Sequence, residues 1–235
     1  MSTISYRELE HLCLAWSKSA GYRQRVDGAR RIVAEALSAA QKPYVAWSGG
    51  KDSTCVLKLV LDVRPDVTVL HWDYGPYFIP RPVHREILSA ADRLGVRDLR
   101  LETSDLYLKL GRRARNVLGR HYLGKLAPEL AREGYDLAFV GLRSQESSRR
   151  KQRIRAGRGY GPIREAWPIA DWDWRDVWTF IIENGLPVLS HYLVYGPVVG
   201  WDRVRLSTYF DPEFAHLGNP DLDAVLNWRF RNLPH

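Results

Sequence analysis

Residues Tyr44–Val60, YVAWSGGKDSTCVLKLV, decide the fold of this chain of 235 residues. The stretch joins a short apolar segment, a serine-glycine turn and an apolar run of helical length, so it predicts a strand, a loop and a buried helix in succession. Glycine lets the backbone approach an anion closely, and the N–H groups that open a helix carry partial positive charge. The stretch therefore predicts a phosphate-binding loop at the end of a strand.

Three types of phosphate-binding loop can be compared with SGGKDS (48–53). A Walker A loop requires G-x-x-x-x-G-K-[ST], but Asp52 follows Gly50-Lys51 and Val45 stands where the first glycine is needed. A dinucleotide fingerprint, G-x-G-x-x-G, fails because only Gly49-Gly50 is present. The third type, the pyrophosphate loop S-G-G-x-D-S, matches. It predicts that the terminal pyrophosphate of ATP is held by the backbone N–H groups at the helix start and by Ser48, Gly49, Gly50 and Ser53.

Segments with the patterns of strands and helices alternate along the chain. Strands are expected at 44–47, 66–72, 96–103, 135–142 and 163–169, where apolar and β-branched residues cluster. Helices are expected at about 5–41 with a break near Gly21, at 53–63, Pro82–Leu94, about 105–133, 171–187 and Leu222–Phe230. The alternation predicts an α/β fold with a doubly wound, five-stranded, mainly parallel sheet, N-terminal helices and a loop-rich C-terminal tail.

The expected organisation has three segments. They are a helical segment at 1–41, an ATP-binding α/β domain at 42–187 and a C-terminal extension at 188–235 that packs on the same domain. Ligands of doubly wound folds bind beyond the carboxyl ends of the strands, where the strand order reverses. The loop at 48–53 follows the first strand, and this is the right place for a nucleotide.

The positive charge of the chain is concentrated in two regions. The formal net charge is +8, and the segment Gly141–Arg164 holds eight basic residues and one acid, Glu146. A second basic run, Lys109–Lys125, contains no acid. Local positive charge of this kind favours a polyanionic partner or substrate, and DNA is the partner we expect.

Several kinds of protein are excluded or disfavoured by composition. The chain has no run of 18 apolar residues and no N-terminal signal pattern, so we expect a cytoplasmic protein without a membrane partner. Cys13 and Cys55 are the only cysteines, and this excludes a disulfide framework and a four-cysteine metal or iron–sulfur site. The sequence leaves the oligomeric state open, with a homodimer as one option.

Four motifs in order carry a resemblance to a known family. They are WSGGKDST (47–54), LHWDYG (70–75), VGLRSQESSRR (140–150) and WPIADWDWRDVWTFI (167–181). With these motifs the chain resembles the pyrophosphate-loop ATP pyrophosphatases of the adenine nucleotide alpha hydrolase superfamily, in particular the phosphoadenosine phosphosulfate reductase-like family. The resemblance covers about residues 40–185.

The resemblance implies a reaction and a set of site residues. ATP would lie across the ends of strands one, two and four, and cleavage of its α–β bond would release pyrophosphate. Lys51 would offset charge on the pyrophosphate, Arg143 would lie near the α-phosphate, and Mg²⁺ would be held with the help of Asp52. Asp73 and Gly141 would also contact ATP. An anionic acceptor would be held by the basic residues Arg149, Arg150, Lys151, Arg153 and Arg155.

The absence of a C-terminal cysteine, which departs from the family, excludes a reductase activity and leaves three hypotheses for the function. The last 180 residues contain no cysteine, so a thiol-dependent reductase, which needs a thiolate nucleophile, is rejected. The preferred reading is a pyrophosphatase component of DNA phosphorothioation, of the SspD or DndC type, with a cysteine desulfurase as partner. The alternative is a small catalytic subunit of sulfate adenylyltransferase with a GTPase partner. A non-catalytic nucleotide- or DNA-binding subunit is the third.

Overall fold

The fold is a five-stranded sheet with helices on both of its faces. We obtained a computed structural model, which describes residues 4–73, 75, 79, 81–105, 109, 121, 124–157, 159 and 161–206. The strands are β1 (Pro43–Ala46), β2 (Thr68–Trp72), β3 (Asp98–Glu102), β4 (Leu137–Val140) and β5 (Arg164–Ala166). All neighbouring strands are parallel, in the order β3-β2-β1-β4-β5. The predicted α/β fold class is confirmed, and the sheet is wholly rather than mainly parallel.

The strand order reverses at β1. From this central strand the chain builds outward through β2 and β3 on one side, and then through β4 and β5 on the other. Val45 pairs with Phe139 and Ala46 with Val140, so the segments that follow β1 and β4 leave the sheet side by side. A crevice at this point is where doubly wound folds bind their ligands.

The helices connect the strands and extend the fold at both ends. They are α1 (Tyr6–Trp16), α2 (Ala20–Ser38), α3 (Lys51–Leu61), α4 (Arg81–Arg93), α5 (Ala127–Arg132), α6 (Ser148–Ala156), α7 (Trp174–Glu183) and α8 (Ser190–Val199). Within the described residues, no helix is long and apolar enough to cross a membrane. The expected helix at Leu222–Phe230 and most of the basic run Lys109–Lys125 lie outside the described residues.

The N-terminal helices break a few residues earlier than predicted. The break is at 17–19, and Gly21 lies inside the first turn of α2. Ser19 explains the position, because its hydroxyl accepts a hydrogen bond from the Tyr22 N–H and so caps the new helix. A serine cap decides this boundary, not the backbone freedom of glycine.

Helix α7 forms as the sequence predicts and ties the N-terminal helices to the sheet. Asp173 caps it by accepting from the N–H groups of Arg175 and Asp176, and Gly185 ends it with a positive φ of 59°. Asp176 is fully buried and receives both Arg25 Nε at 2.8 Å and Arg25 Nη2 at 2.7 Å. This two-point ion pair joins α2 to α7.

The C-terminal segment differs from the expected loop-rich tail. Helix α8 occupies Ser190–Val199 although Gly196-Pro197 reads as a helix break in the sequence. A Cβ atom at Gly196 would lie 2.4 Å from the Trp201 ring, so the glycine permits a close ring contact. The chain then returns through Trp201–Leu206 toward the loop after β1. Residues 190–199 are therefore helical where loop was expected, whereas 200–206 form turns and irregular structure as predicted.

Candidate nucleotide-binding site

The loop between β1 and α3 is held closed by its own hydroxyl groups. Ser53 Oγ accepts from the Ser48 N–H at 3.2 Å, donates to the Gly50 carbonyl at 2.9 Å and lies 3.1 Å from Ser48 Oγ. The Gly50 N–H points to Ser48 Oγ at 3.3 Å. These contacts fix the loop before any ligand arrives, which lowers the entropic cost of binding.

Two glycines of the predicted site allow close backbone approaches. Gly49 has a φ of +81°, and a Cβ there would lie 2.7 Å from the Ile87 side chain on α4. A Cβ at Gly141 would lie 2.7 Å from the backbone nitrogen of Ser53. Gly141 therefore lets the segment after β4 pack directly against the first turn of α3.

An ion-pair cluster lies at the start of α3. Lys51 Nζ is 3.1 Å from Asp52 Oδ2, and Arg143 Nε donates to Asp52 Oδ1. Burial raises the pKa of Asp52, but the charges of Arg143 and Lys51 outweigh it and hold that pKa below its ordinary value. Burial lowers the pKa of Lys51. Burial also acts to lower the pKa of Arg143, but the charge of Asp52 outweighs it, so the pKa of Arg143 is raised.

A cavity of about 240 Å³ opens over this cluster. One side is formed by the loop and the start of α3, and the other by α8 and the segment after it. The Tyr192 hydroxyl accepts from the Lys51 N–H at 3.2 Å. The described residues of the wall are Ala46, Ser48, Gly50, Lys51, Asp52, Ser53, Val140, Gly141, Glu146, Arg150, Tyr192, Arg205 and Leu206.

Comparison with known proteins identifies the family. The model of the phosphoadenosine phosphosulfate reductase domain matches residues 42–194. The chain belongs to this family. It is similar to sulfate adenylyltransferase subunit 2 of Hyphomonas neptunium, at 28% identity over 86% of this chain and 70% of that protein. The same subunit of Maricaulis maris is 27% identical to this chain, over 86% of this chain and 76% of that protein. The subunit of a Rhizobium species is 26% identical, over 86% of this chain and 77% of that protein.

In this member of the phosphoadenosine phosphosulfate reductase domain family, the cysteine beside the site is a packing residue. Cys55 is fully buried on α3 and its Sγ lies 3.7 Å from the Val177 carbonyl. Burial raises the pKa of the Cys55 thiol well above its ordinary value, and the neighbouring Asp52 adds to the rise. A neutral, enclosed thiol is a poor nucleophile.

The Asp52 carboxylate is the predicted metal ligand, and both of its oxygens already contact cations. Arg143 Nε donates to Oδ1, and Lys51 Nζ lies 3.1 Å from Oδ2. Mg²⁺ is held by carboxylate oxygens together with phosphates and water, so a metal at Asp52 would share the carboxylate with these two cations. Within the described part of the chain, no group of three His, Cys, Asp or Glu side chains could hold a metal ion.

Asp73, the predicted ATP ligand after β2, lies apart from the cavity wall. Its Oδ1 accepts from the Gly75 N–H at 2.8 Å, and its Oδ2 lies 3.8 Å from both Arg81 and His84. These contacts stabilise the turn after β2. Arg143 pairs with Asp52 and is not a wall residue, and Gly49 and Asp73 are also absent from the described wall. The predicted residues that the structure brings together there are Ser48, Gly50, Lys51, Asp52, Ser53 and Gly141.

The predicted acceptor residues on α6 point in different directions. Arg150 lines the cavity and bonds to Glu146, whereas Arg153 bonds to Glu165 and turns toward β5. Lys151 and Arg155 are exposed. Arg149 lies on the same helix, and its side chain is not among those described. Only Arg150 of this set reaches the cavity among the described side chains.

Three residues of the cavity wall have no motif that marks them in the sequence. Tyr192, Arg205 and Leu206 come from the segment expected to be a loop-rich tail. Arg205 and Leu206 also lie beyond the range matched by the family model. The sequence gives no periodic signal for Tyr192, because apolar residues occupy nearly every position of α8.

Proposed function

We propose that this chain is an ATP-dependent adenylyltransferase that cleaves the α–β bond of ATP and transfers the adenylyl group to sulfate. The observation that carries the proposal is the position of Asp52 between Lys51 and Arg143. A Walker loop places a hydroxyl residue there for a metal at the β- and γ-phosphates. Here the same position organises two cations at the start of a helix, where a leaving pyrophosphate would be stabilised.

The proposed chemistry is positioning and charge stabilisation. The pyrophosphate is held by the Ser48 and Ser53 hydroxyls and the N–H groups at the start of α3. An acceptor oxygen attacks the α-phosphorus, a new P–O bond forms, and the α–β bridging bond breaks with its electron pair leaving on pyrophosphate. Lys51 and Arg143 offset the charge that develops. Mg²⁺ bound to ATP would supply further charge neutralisation.

The acceptor requires no general base if it is an ionised oxyanion. Sulfate is fully deprotonated at neutral pH, so no proton has to be removed as the new bond forms. The carboxylate of Asp52 suits this reaction, because it is ion-paired with Arg143 and its pKa is held below the ordinary value. A paired carboxylate is a weak base.

The choice of sulfate rests on the relatives, which are named sulfate adenylyltransferase subunit 2. The designation subunit 2 also supports a partner subunit, so we propose that this chain works with one. The DNA-modifying reading preferred from the sequence is the second candidate. The exposed Lys151 and Arg155 on α6 favour this second candidate. A cysteine desulfurase would be a partner only if this second candidate is correct.

Acceptor stimulation separates the two candidates. Formation of adenylylsulfate and AMP from MgATP labelled at the α-phosphate would be followed, with inorganic pyrophosphatase present to remove the pyrophosphate. We expect sulfate at millimolar concentration to increase turnover and duplex DNA to leave it unchanged. Stimulation by DNA and not by sulfate would reverse the assignment, and ATP binding without cleavage would favour the non-catalytic reading.

A further inference from the structure

We propose that Arg150 and Arg205, on either side of Glu146, form the acceptor subsite, and that this subsite is built for a compact oxyanion. The inference rests on the proposed function, because it locates the acceptor of that reaction. Arg205 lies outside the four sequence motifs and outside the residues matched by the family model. Its assignment comes from its contacts.

Glu146 connects two arginines from distant parts of the chain. Its side chain is 5% exposed, its Oε2 accepts from Arg150 Nη1, and its Oε1 lies 3.5 Å from Arg205 Nη1. Arg150 is on α6, and Arg205 is in the segment after α8. The carboxylate thus holds two guanidinium groups beside one another at the cavity wall.

This arrangement favours an additional anion. The Arg205 side chain is 24% exposed and that of Arg150 is 12% exposed, so both cations have lost much of their hydration. Burial lowers the pKa of Arg205, Glu146 raises it, and the neighbouring Arg150 lowers it further. Like charges placed together in a partly buried site repel, and an anion between them relieves that repulsion.

The two arginines and the pyrophosphate loop are different parts of one cavity wall. Arg150, Arg205 and Glu146 line the same cavity as Ser48 and Gly50. The start of α3 offers backbone N–H groups to one anion, and the two guanidinium groups offer planar N–H donors to another. Two anion-binding regions in one cavity match a reaction between ATP and an anionic acceptor.

The size of the acceptor follows from the walls. The cavity of about 240 Å³ is bounded by Tyr192 and Leu206 on the side of Arg205. A tetrahedral oxyanion such as sulfate is small enough, and its oxygens match the forked donors of arginine.

Sulfate binding by variants of Arg205 tests the subsite. The variants are Arg205→Ala and the charge-retaining Arg205→Lys. The matched control is Arg203→Ala, because Arg203 is two residues away, has a side chain that is 76% exposed and lies 3.8 Å from Asp202 at the surface. Radiolabelled sulfate would be measured by equilibrium dialysis at constant ionic strength, with saturating pyrophosphate present so that the loop is occupied.

We expect the wild-type chain and Arg203→Ala to bind one sulfate with equal affinity. Arg205→Ala should weaken binding at least tenfold, and Arg205→Lys should weaken it less. Retained pyrophosphate binding by each variant shows that it is folded. Equal sulfate affinity of Arg205→Ala and the wild-type chain would overturn the proposal, as would displacement of the sulfate by a DNA duplex.

The outcome is separable from that of the proposed function. If the wild-type chain converts ATP and sulfate to adenylylsulfate but Arg205→Ala binds sulfate normally, the subsite is wrong and the proposed reaction stands. If the wild-type chain converts ATP to ADP, the reaction is wrong whatever the sulfate affinity of Arg205→Ala.

Discussion

The hydroxyl of Tyr192 accepts a hydrogen bond from the backbone N–H of Lys51 at 3.2 Å. Tyr192 is 2% exposed and comes from α8, far along the chain from the loop that it contacts. The first N–H groups of a helix have no partner within the helix, so the tyrosine satisfies one that a phosphate loop would otherwise expose. The C-terminal segment therefore completes the predicted site.

Removal of this hydroxyl should weaken nucleotide binding. Because the oxygen accepts from Lys51, its own hydrogen is available to a phosphate in the cavity, and Tyr192→Phe removes that donor. We expect the KM for ATP to rise about threefold to tenfold, as for the loss of one hydrogen bond, with a smaller change in kcat. Tyr195→Phe is the control, since Tyr195 is on the same helix but is not among the described residues of the wall. A lower KM in Tyr192→Phe would mean that the hydroxyl blocks the loop.

Replacement of Asp52 by asparagine should reduce both stability and activity. It leaves Lys51 and Arg143 without their shared carboxylate, and removing one partner of a buried ion pair costs about 3 kcal/mol. Urea unfolding at pH 7 measures the loss. Asp62→Asn serves as the control because Asp62 pairs with Lys58 in an exposed position, where about 0.5 kcal/mol is expected.

The pH dependence of Asp52→Asn follows from the lowered pKa of Asp52. A carboxylate whose pKa is lower in the folded chain than in the unfolded chain stabilises the fold. That stabilisation is fully present above the unfolded-state pKa of about 3.9. This stability is lost as the pH falls through the folded-state pKa. The difference in unfolding free energy between wild type and Asp52→Asn should therefore shrink below about pH 4. A difference that is constant from pH 7 to the acid limit would contradict the ion-pair account.

The ion pair between Arg25 and Asp176 should matter for stability and not for catalysis. Asp176 is fully buried, and Arg25→Met leaves its charge without the two-point contact. We expect a loss of about 3 kcal/mol in urea unfolding and an unchanged kcat per folded molecule. Arg30→Met provides the comparison, because the pair of Arg30 with Asp27 is exposed. A reduced kcat in folded Arg25→Met would mean that α2 and α7 influence the site.

Two glycine substitutions should have opposite effects. Gly141→Ala places a Cβ 2.7 Å from the Ser53 nitrogen, so it should push the segment after β4 away from α3, cost about 1–3 kcal/mol and reduce ATP cleavage. Gly28→Ala lies within α2, where an added Cβ meets nothing within 4 Å, and should stabilise the fold by about 0.5–1 kcal/mol. Thermal unfolding of both variants checks the signs, and a neutral Gly141→Ala would contradict the close approach.

Structural features that depend on residues adjacent in the sequence could be predicted from the sequence. The Ser-Gly-Gly loop, the Asp173 cap and the alternation that gives the sheet are local patterns, and the structure contains each of them. Helix α8 was missed because Gly196-Pro197 resembles a helix break. Its glycine is instead explained by a contact with Trp201, which no local pattern reveals.

The contacts between charged residues of the site could not be predicted from local sequence either. The order Lys51-Asp52 is visible in the sequence, but the contact of Asp52 with Arg143 joins residues 91 positions apart. The run 149–155 was interpreted as one basic surface. The helical period could have corrected part of this interpretation, because Lys151 and Arg155 are four residues apart and share a face that differs from that of Arg150.

The products formed from ATP test the central claim most directly. The chain would be incubated with MgATP labelled at the α-phosphate, with sulfate and inorganic pyrophosphatase present, and the labelled products separated by chromatography. Cleavage of the α–β bond predicts label in AMP or an adenylylated product, with no labelled ADP, and loss of this activity in Ser48→Ala. Labelled ADP, which forms by cleavage of the β–γ bond, would contradict the account.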